Sequence, residues 1–491
     1  MDMALNQVNE DILAKAVSRC RERNIIIPTL AEMKDPNLVP NEIKERLPEV
    51  GMEDFNPLNL FRITWKNDPK GGLYNRGNWL EFPPELTGVD ARIVGLVGQW
   101  FPTGSHKVGA AFGCLVPRLV TGQFDPTTQK AVWPSTGNYC RGGAFDSQLL
   151  ACDSVAILPE EMSPERFAWL QNVATEVIAT PGCESNVKEI FDKCWEIRQT
   201  RPEFVIFNQF DEFGNAIWHY HVTGSVIEEI FNQISSSQER LAAFVAATGS
   251  AGTIAAGDYL RTLHPHMIVA ACEALQCPTL MRCGFGGHRI EGIGDKHIPW
   301  IHNVRNTDTV LAIDDAQTLA LLRLFNEPEG WTTLERAGVG LTLAEKLPLL
   351  GLSSICNLVA AIKVARYYDL NQHDVIFIPL TDSAGLYESR LKEMRNRLGQ
   401  YDREKACGDR ARYLQGIQPD HLKELGYQDR KTLHNFKYFT WIEQQGKTVA
   451  ELQRLWDPDF WVEIFSVAEQ WDDRIREFNS RSRFETSSPA S

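Results

Sequence analysis

The sequence predicts an α/β protein built on parallel sheets that helices cover on both faces. Three observations carry this. Short apolar runs without polar alternation, such as Leu241–Ala247 and Asp374–Ile378, recur through the middle of the chain, and an unbroken run of that length marks a strand buried on both faces. Segments suited to helices separate the runs, which is the pattern of crossover connections between parallel strands. Where the runs end, the chain turns to small and hydroxyl residues, as at Ser135-Thr136-Gly137-Asn138 and Thr248–Thr253.

In order, residues 1–50 read as a helix from Glu10 to Arg23 and then a Pro- and charge-rich connector, and Asn56 to Asn78 is rich in turn residues. The rhythm begins near Asp90. Ala91–Val97 is a strand, followed by a loop and an apolar helix from Ala110 to Val120. Ala131–Trp133, Ser154–Leu158 and Val177–Ala179 are further strands, with a helix from Ser163 between the last two. Leu241–Ala247 runs into a glycine-rich turn and a helix to about Leu263, and Met267–Ala271 and Asp374–Ile378 close the series. The rhythm stops after Leu398. Residues 399–491 read as amphipathic helices with widely spaced tryptophans, ending in a serine-rich, frayed tail from Ser480 to Ser491. The expected organisation is an arm over 1–84, a catalytic α/β region over 85–398 and a helical extension over 399–491.

Composition narrows the function classes. The 491 residues are enough for two to four domains, and a hydrophobic content of 43% with 23% charged residues is that of a soluble globular protein. The net charge of −14 argues against nucleic acid as a partner, and no run of 18 apolar residues suggests a membrane span. Eleven scattered cysteines lack zinc or redox spacing, so no metal is expected and buried reduced thiols in a cytoplasmic protein are the reading.

Five turns carry candidate chemistry. Lys107 closes the loop Phe101-Pro102-Thr103-Gly104-Ser105-His106 and opens a helix, where an amine can form a Schiff base with a carbonyl cofactor. Gly249-Ser250-Ala251-Gly252-Thr253, between strand and helix, reads either as an anion cradle of backbone N–H groups or as a plain turn. Ser135-Thr136-Gly137-Asn138 reads as a carboxylate site or an N-cap. Ser353 and Ser354 after Gly351 stand before a clear helix, and Glu291-Gly292-Ile293-Gly294 is a glycine loop.

The order of these segments, together with Asn208-Gln209-Phe210, resembles the fold-type II pyridoxal-phosphate enzymes, and among them the cysteine synthase group most closely. The His106-Lys107 pair is more similar to the tryptophan synthase β chain. The resemblance implies two three-layer subdomains with parallel sheets, pyridoxal 5'-phosphate as cofactor and a homodimer. It implies that Lys107 binds the cofactor and removes the Cα proton. Asn138, Gly249, Ser250, Ala251, Gly252, Thr253, Ser353 and His106 would hold the cofactor, and Ser135, Thr136, Gly137 and Gly292 the substrate. A serine facing the pyridine nitrogen implies a mild electron sink. The implied reaction is β-elimination or β-replacement on a serine- or cysteine-like amino acid. The alternatives are an ammonia-lyase or threonine-synthase-like member of the fold, or a silent scaffold. Two departures stand out. Val108-Gly109 replaces the group's Asp-Arg, and Tyr139-Cys140-Arg141 replaces a small pair beside the substrate loop. Arg141 is accordingly read either as a partner for an acidic substrate group or as a solvated helix residue.

Overall fold

The computed structural model describes residues 5–135, 137–183, 186–294 and 296–483. Among them, eleven strands form two sheets. The smaller sheet has the order β5-β4-β3-β6, with β3 at Lys130–Pro134, β4 at Asp153–Pro159, β5 at Glu176–Thr180 and β6 at Phe204–Ile206. All of its pairings are parallel. The larger sheet has the order β1-β2-β10-β7-β8-β9-β11. It consists of β1 (Trp79–Phe82), β2 (Arg92–Val97), β7 (Arg240–Ala247), β8 (Ile268–Ala274), β9 (Thr309–Ile313), β10 (Asp374–Leu380) and β11 (Leu422–Glu424). Its interior is parallel, and its two edge strands, β1 and β11, run antiparallel to β2 and β9.

The seven apolar runs of the sequence correspond to β2, β3, β4, β5, β7, β8 and β10. They are buried over nearly their whole length, apart from β5, which is half-covered. A strand in the middle of a helix-covered sheet has no solvated face, so selection for apolar residues acts on every position. The helix Leu352–Tyr367 shows the same pressure, being buried from Leu352 to Ala365 where it packs on β7 and β10.

The terminal regions are part of this body. β1 comes from the arm and β11 from the extension. The helices Glu10–Glu22 and Ala468–Ser482 lie together, with Arg481 paired to Glu10 at 3.0 Å. The Asp472 carboxylate accepts the N–H groups of Leu30 (2.6 Å) and Ala31 (3.1 Å), which open the helix Leu30–Lys34. No described helix is long and apolar enough to cross a membrane, and no described cluster of His, Cys, Asp and Glu could hold a metal ion.

Candidate active site

The recess lies where β3, β7 and β10 end, between the two sheets. Ligands of open α/β sheets collect there, because strand ends free the backbone and following helices point their N-termini inward. Lys107, Ser135, Asn138, Tyr139, Gln209 and Phe210 line one side, and Gly249, Ser250, Gly292, Ile293, Gly294 and Thr381 the other.

Lys107 is the first residue of the helix Lys107–Val120. The turn before it holds Thr103 (φ 63°) and Gly104 (φ 70°) in the left-handed region, which brings the chain sharply round into the helix. The helix Asn138–Leu149 abuts the Lys107 peptide. A Cβ on Gly142 would stand 2.9 Å from the Lys107 carbonyl oxygen, so only glycine allows the lysine and the Ser135–Asn138 turn to sit this close. Lys107 Nζ donates to Gln209 Oε1 at 3.3 Å and to Ser250 Oγ at 3.4 Å.

Ser250 belongs to the turn between β7 and the helix Ala255–Leu263. Its hydroxyl accepts from Asn215 Nδ2 at 3.0 Å and from the Gly252 N–H at 3.4 Å. Ala251 has a φ of 63°, unusual for a residue with a Cβ. Alternation of handedness in such a turn aims successive N–H groups into one concavity that suits an anion. The helix has no side-chain cap, so the serine and threonines of the turn are not used as caps.

The Ser135 turn is likewise no N-cap, since the helix that follows has none from a side chain. Ser135 Oγ accepts from Gln209 Nε2 at 3.3 Å and from the Gly137 N–H at 3.2 Å. Asn138 Nδ2 donates to Asp382 Oδ2 at 2.6 Å, and Tyr387 OH donates to the same oxygen at 2.7 Å. Burial holds the Asp382 carboxyl above its ordinary range, against these two hydrogen bonds. Asn138 Oδ1 is buried without a partner among the described residues, and so is Ser353 Oγ. Ser353 is not a helix cap either, and its neighbour Ser354 is already committed, donating to the Asp382 carbonyl at 3.2 Å. A buried hydroxyl and a buried amide oxygen left open beside a small recess are acceptors and donors waiting for a ligand's polar atoms.

Behind the Ser135 turn lies a buried ion pair. Arg166 and Glu291, each only 2% exposed, approach to 2.9 Å, and Arg390 Nε donates to the other Glu291 oxygen at 2.6 Å. A Cβ on Gly137 would stand 2.4 Å from Arg166 Nη1, so the guanidinium lies against the backbone of the turn. One ion pair therefore braces the Ser135 turn and the Gly292 loop together.

Of the residues read from sequence, Lys107, Ser135, Asn138, Gly249, Ser250 and Gly292 line the recess, with Ala251, Gly252 and Thr253 in the turn just beyond. Ser353 is placed beside Gly292, whose built Cβ would lie 4.0 Å from its hydroxyl. Gly137 serves the turn through its N–H, and Thr136 lies outside the described residues. His106 faces away from the recess into an aromatic box, with ring centres 5.4 Å from Trp65 and 4.9 Å from His219. Burial and the Lys107 charge push its pKa far below the usual histidine range, which keeps it neutral. Of the departures, Tyr139 lines the recess, its hydroxyl donating to the Phe207 carbonyl at 3.2 Å. Cys140 is a structural thiol that burial pushes up to about 12, and it donates to the Gly137 carbonyl. Arg141 is buried over the Trp169 ring, 4.8 Å from its centre, so it is not a solvated helix residue. Gln209, Asp382, Arg166 and Glu291 carry no role in the sequence reading. Asp382 had a signal in its place just past the end of β10, whereas Arg166, on the helix Pro164–Val173, had none.

The model of the pyridoxal-phosphate dependent enzyme family matches residues 99–376, more than half of the chain. A probable cysteine synthase of Bacillus subtilis (strain 168) is 29% identical over 230 residues, which cover 47% of this chain and 72% of that protein. Among solved structures, a hydrogen sulfide-producing enzyme from Fusobacterium nucleatum superposes with a TM-score of 0.56 at 20% identity, covering 66% of this chain and 98% of that one. An O-acetylserine dependent cystathionine beta-synthase from Helicobacter pylori gives 0.53 at 23% identity, covering 64% and 94%.

Proposed function

From its place in the pyridoxal-phosphate dependent enzyme family, to which this chain belongs, we propose that it performs β-replacement on a serine-like amino acid. The observation that carries the reading is the Lys107 amine held between Gln209 and Ser250, in a recess whose nearby Ser353 hydroxyl and Asn138 amide oxygen have no partner among the described residues. The residues present fit the cofactor. The Gly249–Thr253 turn offers N–H groups to its phosphate, and Ser353 and Asn138 stand ready for its ring nitrogen and ring oxygen. When bound, pyridoxal phosphate supplies a carbonyl for Schiff-base formation and a ring that disperses the electron pair left at Cα.

The chain's own residues do the rest. Ser135, backed by Gln209, holds the substrate carboxylate, and so fixes the Cα–H bond relative to the lysine. Lys107 takes the Cα proton, and the β-substituent leaves. Ser353 is a neutral hydroxyl, so it would hold the ring nitrogen without forcing a proton onto it. That favours rapid loss of a β-leaving group over reactions that need a long-lived carbanion. The matched relative is a cysteine synthase, which supports a sulfur nucleophile as the incoming group.

The test is to supply O-acetyl-L-serine or L-serine with sulfide or homocysteine and to identify products by mass spectrometry. A thioether or cysteine product is expected. Pyruvate and ammonia alone, with no incorporation of the nucleophile, would identify an eliminase instead. The proposal extends to a homodimer, supported by exposed apolar side chains such as Phe285 and Val462, and light scattering would decide it. A reducing compartment such as the cytoplasm suits the thiols of Cys272 and Cys356, 3.9 Å apart.

A further inference from the structure

A second cavity of about 490 Å³, a size typical of small-molecule sites, lies against the helix Lys107–Val120 at Gly113, Cys114, Pro117 and Arg118. Five charged residues converge on it: Arg118, Arg198, Lys447, Asp211 and Glu212. Arg118 is paired with Glu212, and Lys447 with Asp211 at 2.9 Å. Arg198 lies over the Trp195 ring, 5.0 Å from its centre, and ion-pairs with no carboxylate among the described residues. The two acids are chain neighbours. Burial, and then repulsion from Asp211, raise the Glu212 carboxyl above its ordinary range in spite of the three cations around it.

The walls therefore offer a guanidinium that is in no ion pair among the described residues and, within its electrostatic reach, a crowded pair of carboxylates. Pro117, Phe204, Ile206 and Phe213 add apolar wall. We infer that this cavity is a second binding site for an α-amino acid, independent of the reaction at Lys107. Its carboxylate pairs with Arg198, its ammonium sits between Asp211 and Glu212, and its side chain lies on the apolar wall. A simple anion would face two carboxylates and a simple amine three cations, so a ligand bearing both charges matches the cavity best.

The site and the recess are neighbours in the fold. Gln209 and Phe210 line the recess, and Asp211 and Glu212, next in the chain, line the cavity. Tyr139 lines the recess while its hydroxyl interacts with Cys114, which lines the cavity.

The experiment titrates the holoenzyme calorimetrically with L-serine, L-methionine and L-phenylalanine while cofactor absorbance is followed. The recess reports through absorbance and the second cavity does not. At least one amino acid is expected to give a heat of binding that is silent in absorbance. That event should weaken at least tenfold in Arg198→Ala and in Glu212→Gln and persist in Arg198→Lys. For phenylalanine, phenethylamine and 3-phenylpropionate, which each lack one charge, should also bind at least tenfold more weakly. The inference is overturned if all heat tracks the absorbance change, or if a silent event survives Arg198→Ala and Glu212→Gln undiminished. A silent event with no absorbance response to any amino acid would uphold the second site and count against the reaction proposed at Lys107.

Discussion

At the scale of single residues, the site is defined by groups that the protein leaves open. Ser353 is buried and its hydroxyl has no partner among the described residues, whereas Ser354 is satisfied by Asp382. Ser353→Ala should leave the fold intact and weaken cofactor binding about tenfold, because one unmade buried hydrogen bond costs on the order of 1–3 kcal/mol. Fluorescence titration of the apoenzyme with pyridoxal phosphate measures this, and unchanged affinity would make Ser353 a packing residue. Ser353→Asp should instead place a carboxylate against the ring nitrogen, shift the absorbance of the bound cofactor and slow β-replacement. The residues legible in the sequence are those whose backbone does the work. Gly252 leaves room for Asn215, whose Oδ1 would stand 2.0 Å from an added Cβ, and Gly249 packs against the Gly292 carbonyl. Gln209 was not legible as a site residue, because an amide on a loop has many uses and only the fold shows that it reaches both Lys107 and Ser135.

At the scale of elements, the Ser135 turn and the Gly292 loop are held in register by Arg166 and Glu291. Removing one partner strands a buried charge, at a cost of about 3–5 kcal/mol. Glu291→Gln should therefore lower the urea midpoint of unfolding and raise KM for the amino acid. The double variant Arg166→Met, Glu291→Gln should recover much of the stability but keep the raised KM, since nothing then braces Gly137. If KM recovered together with stability, the pair would be structural only. The strands show what the sequence can and cannot disclose. β3, β4, β7, β8 and β10 are legible because burial on both faces demands unbroken apolar runs. β6, with three residues, and β11, Leu422-Lys423-Glu424, are strands only because a neighbour offers its edge. The polar residues of β11 suit a sheet edge but do not announce a strand.

At the scale of the whole molecule, the terminal regions close over the catalytic body. Lys437, in the extension, is fully buried and donates to the carbonyls of Trp300 (2.9 Å) and His302 (2.7 Å), and Trp441 Nε1 donates to the Ile298 carbonyl at 2.8 Å. Burial lowers the Lys437 pKa from its ordinary 10.5 to about 7. Between about pH 7 and 10.5 the unfolded chain then holds a proton that the folded chain has released, so this residue makes stability rise with pH over that window, by up to ~1.4 kcal/mol per pH unit. Below about pH 7 both states are charged and the burial penalty is felt in full. Urea unfolding at pH 7, 8 and 9 should show wild type gaining on Lys437→Met by about 1–3 kcal/mol; a constant difference would mean that the ammonium stays charged. Such long-range contacts were not legible in the sequence, because the 300s loop and residues 437–441 meet only after both have folded. The central claim remains that Lys107 is the residue that carries the cofactor. The direct measurement is borohydride reduction of the holoenzyme, followed by peptide mapping. A phosphopyridoxyl group on Lys107 and no other lysine, lost in Lys107→Ala, is the predicted result. The same label on a different lysine, or on Lys107→Ala at wild-type level, would contradict it.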